Sequence, residues 1–329
     1  MFERVRAHAP APVKAVYRYG RHLLKRLVLV RDGIRYGAVS AVPIGRYVVY
    51  SPTRDRRTEL LRRTGGTGLQ PHLIDLCVSH CREFDTDVFL DIGANVGEFS
   101  VSVAEYVRKV VVFEPHSSLV PFLARTLAGH DNAIIAPLAV SDGTRNSVLH
   151  FRQNYAGASS LDVGYMSRLN RAKWPGLTRT VGEAPVLSVS IDGAAKLFDI
   201  APGSSVFAKI DVEGHEPAVL AGARATFASS RWWRALIEFN PGSQEARGLG
   251  SCEWWETLRS FPGCIVETGG FASDALADLS GSCLPATMPS HGVDVLIGEG
   301  KLEQRSRGTP PYGRRRAAAY VDDAEVDLA

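Results

Sequence analysis

The sequence of 329 residues predicts an α/β fold, a Rossmann-like doubly wound parallel sheet with helices on both faces. Three observations support this. Short apolar runs alternate with helical patterns between residues 87 and 139, and again between residues 193 and 239. A glycine-containing turn follows the first run. Acidic residues stand at the ends of later runs, where ligands bind in open α/β sheets.

The glycine turn spans residues 91–100, Asp-Ile-Gly-Ala-Asn-Val-Gly-Glu-Phe-Ser, and follows the apolar run 88–90. Gly93 and Gly97 have no Cβ, so the backbone can turn sharply and a ligand can approach it closely. The next helix points its free N–H groups into the same space, which suits a nucleotide or a carboxylate. The sequence therefore predicts a nucleotide-like ligand at this turn.

The second apolar run indicates which ligand it is. It ends at Glu114, and a carboxylate in this position can accept both hydroxyls of a ribose. The turn has glycines at 93 and 97 but lacks the third glycine of the fingerprint G-x-G-x-x-G. This absence disfavours NAD as the ligand. Asp91 is better explained by a ligand with an ammonium group. S-adenosylmethionine therefore fits the turn better than NAD does.

The third run, predicted as a strand over residues 133–139, leads to Ser141 and Asp142. An adenine would lie there if Glu114 holds the ribose, so both residues are candidates for contacting it. A plain turn is the alternative. The insertion over residues 146–190 then interrupts the alternation, before helices predicted over 193–199 and 216–228 and strands over 205–210 and 234–239.

The segment 209–217, Lys-Ile-Asp-Val-Glu-Gly-His-Glu-Pro, places two acids and a histidine between a strand and a helix. Asp211 is expected to point toward the sulfonium. His215 is expected to stay neutral near the helix N-terminus, in the form that accepts a proton. Glu213 or Glu216 could orient the imidazole. Alternatively, both acids only cap the helix and His215 packs on the sheet. These side chains also suit a divalent cation, but no second ligand group is evident, so no metal is expected.

Several segments in this order resemble the FkbM-type S-adenosylmethionine-dependent methyltransferases: 91–100, 113–115, 139–142, 159–160, 190–192, 209–216, 220–223 and 237–238. The resemblance covers residues 85–240. It implies a Rossmann-like, seven-stranded methyltransferase sheet and O-methylation of a hydroxyl on a sugar, glycan, glycolipid or polyketide-type metabolite. The cofactor-binding residues it implies are Asp91, Gly93, Asn95, Gly97 and Glu114.

The expected reaction is in-line methyl transfer, in which the protein supplies positioning and a base. His215 is the candidate base. Asp211 and Glu213 would orient the acceptor or the imidazole. The candidate acceptor-binding residues are Glu238, Asn240, Ser159 and Ser160; Glu238 and Asn240 could instead merely end a strand. A catalytically silent binding module is the alternative function, followed by an NAD-dependent oxidoreductase.

The first 84 residues form an expected extension with a helix and short strands, ahead of a catalytic domain over residues 85–300. Residues 1–70 carry 15 Lys and Arg against 4 Asp and Glu. A basic amphipathic helix there could contact an anionic membrane or a partner, although a solvated face is the simpler interpretation. No nucleic-acid motif accompanies the charge, so no nucleic-acid partner is expected.

The five cysteines are scattered, with Cys77 and Cys81 four residues apart. We interpret them as buried thiols of a cytoplasmic protein. No apolar run approaches membrane-spanning length. Residues 301–329 have little apolar content and are expected to be a disordered tail. The oligomeric state is left open.

Overall fold

The computed structural model describes residues 39–152, 155–164, 181–239, 251–261, 263–266 and 293–301. The predicted basic helix within residues 1–35 lies outside the described residues, as does the predicted tail from residue 302 onward. Among the described residues, no helix combines the length and the apolar character that crossing a membrane requires.

A seven-stranded sheet forms the centre of the described chain. In spatial order its strands are β12 (Gly263–Val266), β13 (Val293–Glu299), β11 (Trp232–Phe239), β10 (Ser205–Ile210), β3 (Val88–Ile92), β4 (Lys109–Phe113) and β5 (Ala133–Ala136). The run from β11 to β5 is parallel, and β13 is antiparallel to both β11 and β12. The predicted Rossmann-like sheet is therefore confirmed, and it carries an antiparallel pair at one edge.

Helices cover both faces of this sheet. They are α1 (Arg56–Arg63), α2 (Pro71–Glu83), α3 (Glu98–Val103), α4 (Val120–Thr126), α5 (Ile191–Leu197), α6 (Glu216–Ala221), α7 (Arg224–Ser229) and α8 (Ser251–Arg259). Side chains alternate between faces along a strand. Leu90 accordingly packs in a core with α5, α6, α7 and α8, whereas Phe89 packs in a second core with α1, α2, α3 and α4. Cys77 and Cys81 are buried in that second core.

Two predicted elements are each divided in the structure. The strand predicted over 133–139 ends at Ala136, because Pro137 has no N–H to donate to the ladder. The chain then starts a strand of another sheet at Ala139. The helix predicted over 216–228 breaks at Gly222, where the backbone passes so close to Ser141 that a Cβ would lie 2.3 Å from its carbonyl oxygen.

Two smaller sheets flank the centre. Two of the short strands expected in the extension are present as β1 (Val39–Ile44) and β2 (Tyr47–Pro52), paired antiparallel. The remaining strands are β6 (Ala139–Val140), β7 (Arg145–Arg152), β8 (Tyr155–Ser160) and β9 (Val181–Val189). They form a four-stranded sheet in the order β6-β9-β7-β8. The predicted insertion of loops and extended segments is thus an ordered sheet wherever the structure describes it.

Candidate active site

A cleft of about 660 Å³, partly open to solvent, lies at the carboxyl ends of β10, β3 and β4. Its floor comes from the turns that follow these strands. One wall comes from β8 of the insertion, and α1 contributes Arg57. Parallel strands end at the same edge of a sheet, so the turns after them meet there. The cleft is the site at which the sequence places a ligand.

The glycine turn is held in shape by close backbone contacts. Gly93 has φ +81°, and a Cβ there would lie 1.9 Å from the carbonyl oxygen of Asp211. Gly97, with φ +88°, precedes α3, and a Cβ there would lie 2.7 Å from Leu123 Cδ1. Gly93 and Asn95 line the cleft, whereas Gly97 lets α3 pack against α4. The two glycines therefore have different structural roles.

Glu114 ends β4 beside the glycine turn and is only 5% exposed. Its Oε2 accepts a hydrogen bond from the Asn95 backbone N–H at 2.7 Å, and its Oε1 accepts one from the His116 N–H at 2.7 Å. Burial raises the pKa of Glu114 to about 7. Asn95 Oδ1 is also buried and has no hydrogen-bond partner among the described residues. Both side chains border the cleft, so both offer oxygens to a ligand.

Asp91 lies beneath the cleft and is completely buried. Its Oδ2 accepts hydrogen bonds from the backbone N–H of Ser100, at 3.1 Å, and from the Ser100 hydroxyl. The ammonium of Lys209 lies 3.8 Å from Asp91 Oδ1 and 3.2 Å from Asp211 Oδ2, and it donates to the Gly93 carbonyl at 3.1 Å. In this structure the ammonium near Asp91 is that of Lys209. Contact between Asp91 and the cofactor stays a prediction.

The turn after β10 is shaped by Glu216, which is 1% exposed. Its Oε1 accepts hydrogen bonds from the backbone N–H groups of Val212 and Gly214, each at 3.0 Å. Glu213 adopts φ +56° within this turn. The turn thereby brings Asp211, Glu213 and His215 to the cleft together. Burial and the neighbouring Glu216 raise the pKa of Glu213.

His215 immediately precedes α6 and is 8% exposed. Its Nε2 lies 2.9 Å from the Ser141 hydroxyl oxygen. Ser141 in turn donates to Asp142 Oδ1 at 3.0 Å and accepts from Arg145 at 2.9 Å. Ser141, itself held by Asp142, therefore holds the imidazole in place on the Nε2 side. The cleft wall nearby consists of Leu138, Ala139 and Val140, and the adenine contact of Ser141 and Asp142 stays a prediction.

Of the described acceptor candidates, two line the cleft, whereas Glu238 does not. Ser159 and Ser160 line it, and the Ser160 hydroxyl donates to the backbone carbonyl of Glu213 at 2.8 Å. Glu238 pairs with Asp294 across the β11–β13 ladder. Burial and the surrounding acids raise the pKa of Glu238 well above its usual range and that of Asp294 to about 7. Asn240 lies outside the described residues, so its role stays a prediction.

Three residues of this site were not identified from the sequence as functional candidates. Arg57 is one of the basic residues counted in residues 1–70 and belongs to no motif, and Asp294 lies inside a short apolar run. Lys209 stood inside the motif 209–217 but was given no role. Within the described residues, no group of three or more His, Cys, Asp or Glu side chains is arranged to hold a metal ion.

Comparison with solved structures gives similarity at low sequence identity. A precorrin-8w decarboxylase from Methanobacterium thermoautotrophicum is 14% identical, over 79% of this chain and 100% of that chain, with a TM-score of 0.36. A methyltransferase FkbM from Methylobacillus flagellatus KT is 11% identical, over 86% of this chain and 60% of that chain, with a TM-score of 0.36. A putative O-methyltransferase from Klebsiella pneumoniae is 11% identical, over 86% of this chain and 93% of that chain, with a TM-score of 0.36.

TM-scores of this size carry no conclusion about activity or acceptor. A search of curated proteins gives no significant match.

The family comparison is more informative. The family model for the methyltransferase FkbM domain matches residues 91–261, which contain the glycine turn, Glu114 and the segment 209–217. This agrees with the resemblance noted from the sequence and favours S-adenosylmethionine over NAD. The buried carboxylate of Glu114 and the unpartnered Asn95 Oδ1 fit the hydroxyl and ammonium donors of this cofactor. The chain belongs to the FkbM methyltransferase family, and its cofactor is S-adenosyl-L-methionine.

Proposed function

We propose that this protein O-methylates a hydroxyl on a sugar, a glycan or glycolipid, or a polyketide-type metabolite. The observation that carries the proposal is that His215, Asp211 and Glu213 line the same cleft as Gly93 and the other cofactor turn residues. A buried imidazole and two carboxylates thus face the space in which the cofactor binds.

The cofactor would lie across the carboxyl edge of the sheet. Glu114 would accept its ribose hydroxyls, and the apolar wall of Leu138, Val140 and Leu149 would cover its adenine. When bound, S-adenosylmethionine supplies a methyl group that is already activated on a sulfonium. The protein therefore has to position the acceptor and remove its proton.

We assign the removal of the acceptor's proton to His215. The Ser141 hydroxyl donates to Asp142, so its oxygen is an acceptor toward His215 Nε2, which lies 2.9 Å away. In that arrangement Nε2 carries the hydrogen and Nδ1 carries the lone pair. The imidazole of His215 would take the proton of the acceptor hydroxyl. Asp211 and Glu213 would orient the acceptor hydroxyl.

The charge of the cleft favours a small acceptor over a nucleic acid. Asp211, Glu213, Glu238 and Asp294 cluster at this end of the sheet, as their mutual effects on pKa indicate. Among the described residues that line the cleft, Arg57 is the only Lys or Arg, whereas nucleic-acid binding depends on neutralising several phosphates. Hydroxyl-rich, uncharged metabolites need no such charge. Ser159 and Ser160 would supply hydrogen-bonding groups for them.

The test is methyl transfer from labelled S-adenosylmethionine to a metabolite and glycan extract, with products identified by mass spectrometry. We expect O-methylated products. His215→Ala should lower kcat by about 10²- to 10⁴-fold, the usual range for a general base, with cofactor affinity unchanged. His150→Ala is the control, because His150, on β7, pairs with Glu183 of β9 and does not line the cleft.

Three outcomes would contradict the proposal. Turnover by His215→Ala at the wild-type rate would exclude His215 as the base. Methylation of nitrogen, carbon or RNA would exclude the proposed acceptor. Cofactor binding without transfer to any component of the extract would favour a catalytically silent binding module.

A further inference from the structure

Arg57 belongs to the segment that the sequence treats as an extension, yet it lines the catalytic cleft. Asp55 fixes its position from two sides. Asp55 Oδ1 accepts the Arg57 backbone N–H at 2.7 Å, as the N-cap of α1. Asp55 Oδ2 accepts the backbone N–H of Ala156, in β8, at 2.8 Å. The start of α1 is thereby attached to the strand that forms the cleft wall.

The protein occupies only some of the N–H donors of the Arg57 guanidinium. Its Nη2 lies 2.5 Å from Glu98 Oε1, and the Arg57 side chain is 18% exposed. Glu98 is 2% exposed and also accepts the Leu69 N–H at 3.2 Å. Arg57 Nε is buried and has no hydrogen-bond partner among the described residues. A guanidinium has five N–H donors in a fork that matches a carboxylate.

The order of the strands indicates which part of the cofactor reaches Arg57. Glu114 follows β4, and the apolar wall that begins at Leu138 lies on the β5 side. A cofactor with its ribose at Glu114 and its adenine on that wall extends its amino-acid end toward β3 and β10. Asp211 follows β10 and lines the same cleft as Arg57.

We propose that Arg57 binds the α-carboxylate of the cofactor's methionine group. Among the described residues that line the cleft, Arg57 is the only Arg or Lys, so it is the group of matching charge. The inference rests on the cofactor and is independent of the acceptor proposed above.

The test compares two ligands by isothermal titration calorimetry. S-adenosylhomocysteine carries the α-carboxylate, whereas 5′-methylthioadenosine lacks the whole amino-acid end. Arg57→Gln should weaken S-adenosylhomocysteine binding by about 10- to 100-fold, the range for hydrogen bonds to charged groups. Binding of 5′-methylthioadenosine should stay within about 2-fold, since it makes no contact with the guanidinium. Arg57→Lys should give an intermediate loss, because it keeps the charge but not the fork.

Arg56→Gln is the matched control, since Arg56 is adjacent, pairs with Glu59 and does not line the cleft. It should leave both affinities unchanged. Equal weakening of both ligands by Arg57→Gln, misfolding included, would overturn the proposal, because Arg57 would then only support the cleft. Unchanged affinity for S-adenosylhomocysteine would overturn it as well. If the wild type binds neither ligand, the cofactor assignment itself fails, which is a distinct result.

Discussion

Replacing Lys209 with Met should destabilise the protein strongly, because it leaves a buried carboxylate without its counter-charge. The Lys209 side chain is 7% exposed and that of Asp91 is 0% exposed, with 3.8 Å between Nζ and Oδ1. At an effective dielectric constant of about 20, unit charges at that distance attract by about 4 kcal/mol. Removing one partner of a buried pair typically costs about 3–5 kcal/mol. We therefore expect Lys209→Met to lower the free energy of unfolding by about 3–5 kcal/mol.

A double-mutant cycle separates this pair from general packing. Asp91→Asn alone should cost about 1–2 kcal/mol, because Lys209 keeps Asp211 and the Gly93 carbonyl as partners. The double variant should be less destabilised than the sum of the singles by about 2 kcal/mol. Urea unfolding followed by tryptophan fluorescence measures each value, since Trp232 is fully buried in β11.

The control is Lys196→Met, at an exposed position on α5, which should change stability by less than about 0.5 kcal/mol. Effects of Lys209→Met and Asp91→Asn that add within about 0.5 kcal/mol would refute the reasoning, since uncoupled residues behave in that way. A loss equal to that of Lys196→Met would refute the buried ion pair itself.

Three further changes test other parts of the site and core. Glu114 has a pKa raised to about 7, so calorimetric affinity for S-adenosylhomocysteine should rise as pH increases through 7, and Glu114→Gln should bind more weakly with a flat profile. Burial lowers the pKa of His80 to about 3. In the unfolded chain His80 has a pKa near 6.5 and therefore binds a proton at a higher pH than in the folded protein. Stability is consequently lost as pH falls below about 6.5. Between pH 7 and pH 5 the free energy of unfolding, measured by urea titration, should fall by about 2 kcal/mol less in His80→Phe than in the wild type. Parallel plots of this free energy against pH for the two proteins would contradict the prediction. Gly93→Ala should cost at least about 2 kcal/mol of stability and abolish cofactor binding, while Gly129→Ala, with open space around its Cβ, should be neutral by both measures.

The central sheet could be predicted because its strands are local signals. Strands buried on both faces appear as continuous apolar runs, and 88–90 and 110–113 are such runs. The break at Gly222 could not be foreseen, because it depends on Ser141, which is distant in sequence. The sheet formed by β6 to β9 was missed for the same reason. Pairing between remote strands leaves little trace in any one segment.

The same difference between local and long-range signals applies to the residues of the candidate site. The residues that line the cleft from the turns after β3, β4 and β10 were identified because a motif places each one at a strand end. The role of Arg57 could not be predicted, since its position depends on contacts with Glu98 and with the backbone of β8, which are far along the chain. The sequence also could not show that Ser141 would contact His215, because that contact joins residues 74 positions apart.

The geometry around Asp55 links α1, which precedes the residues matched by the family model, to β8, which lies among them. Asp55 is 3% exposed, and its carboxylate joins the start of α1 to β8, so neither can shift without the other. Through this joint, residues before the catalytic domain set the position of the wall that carries Ser159 and Ser160. Substitutions near Asp55 should therefore change which acceptor is used even though they lie outside the methyltransferase core. We therefore expect acceptor choice to depend on α1 and β8 together.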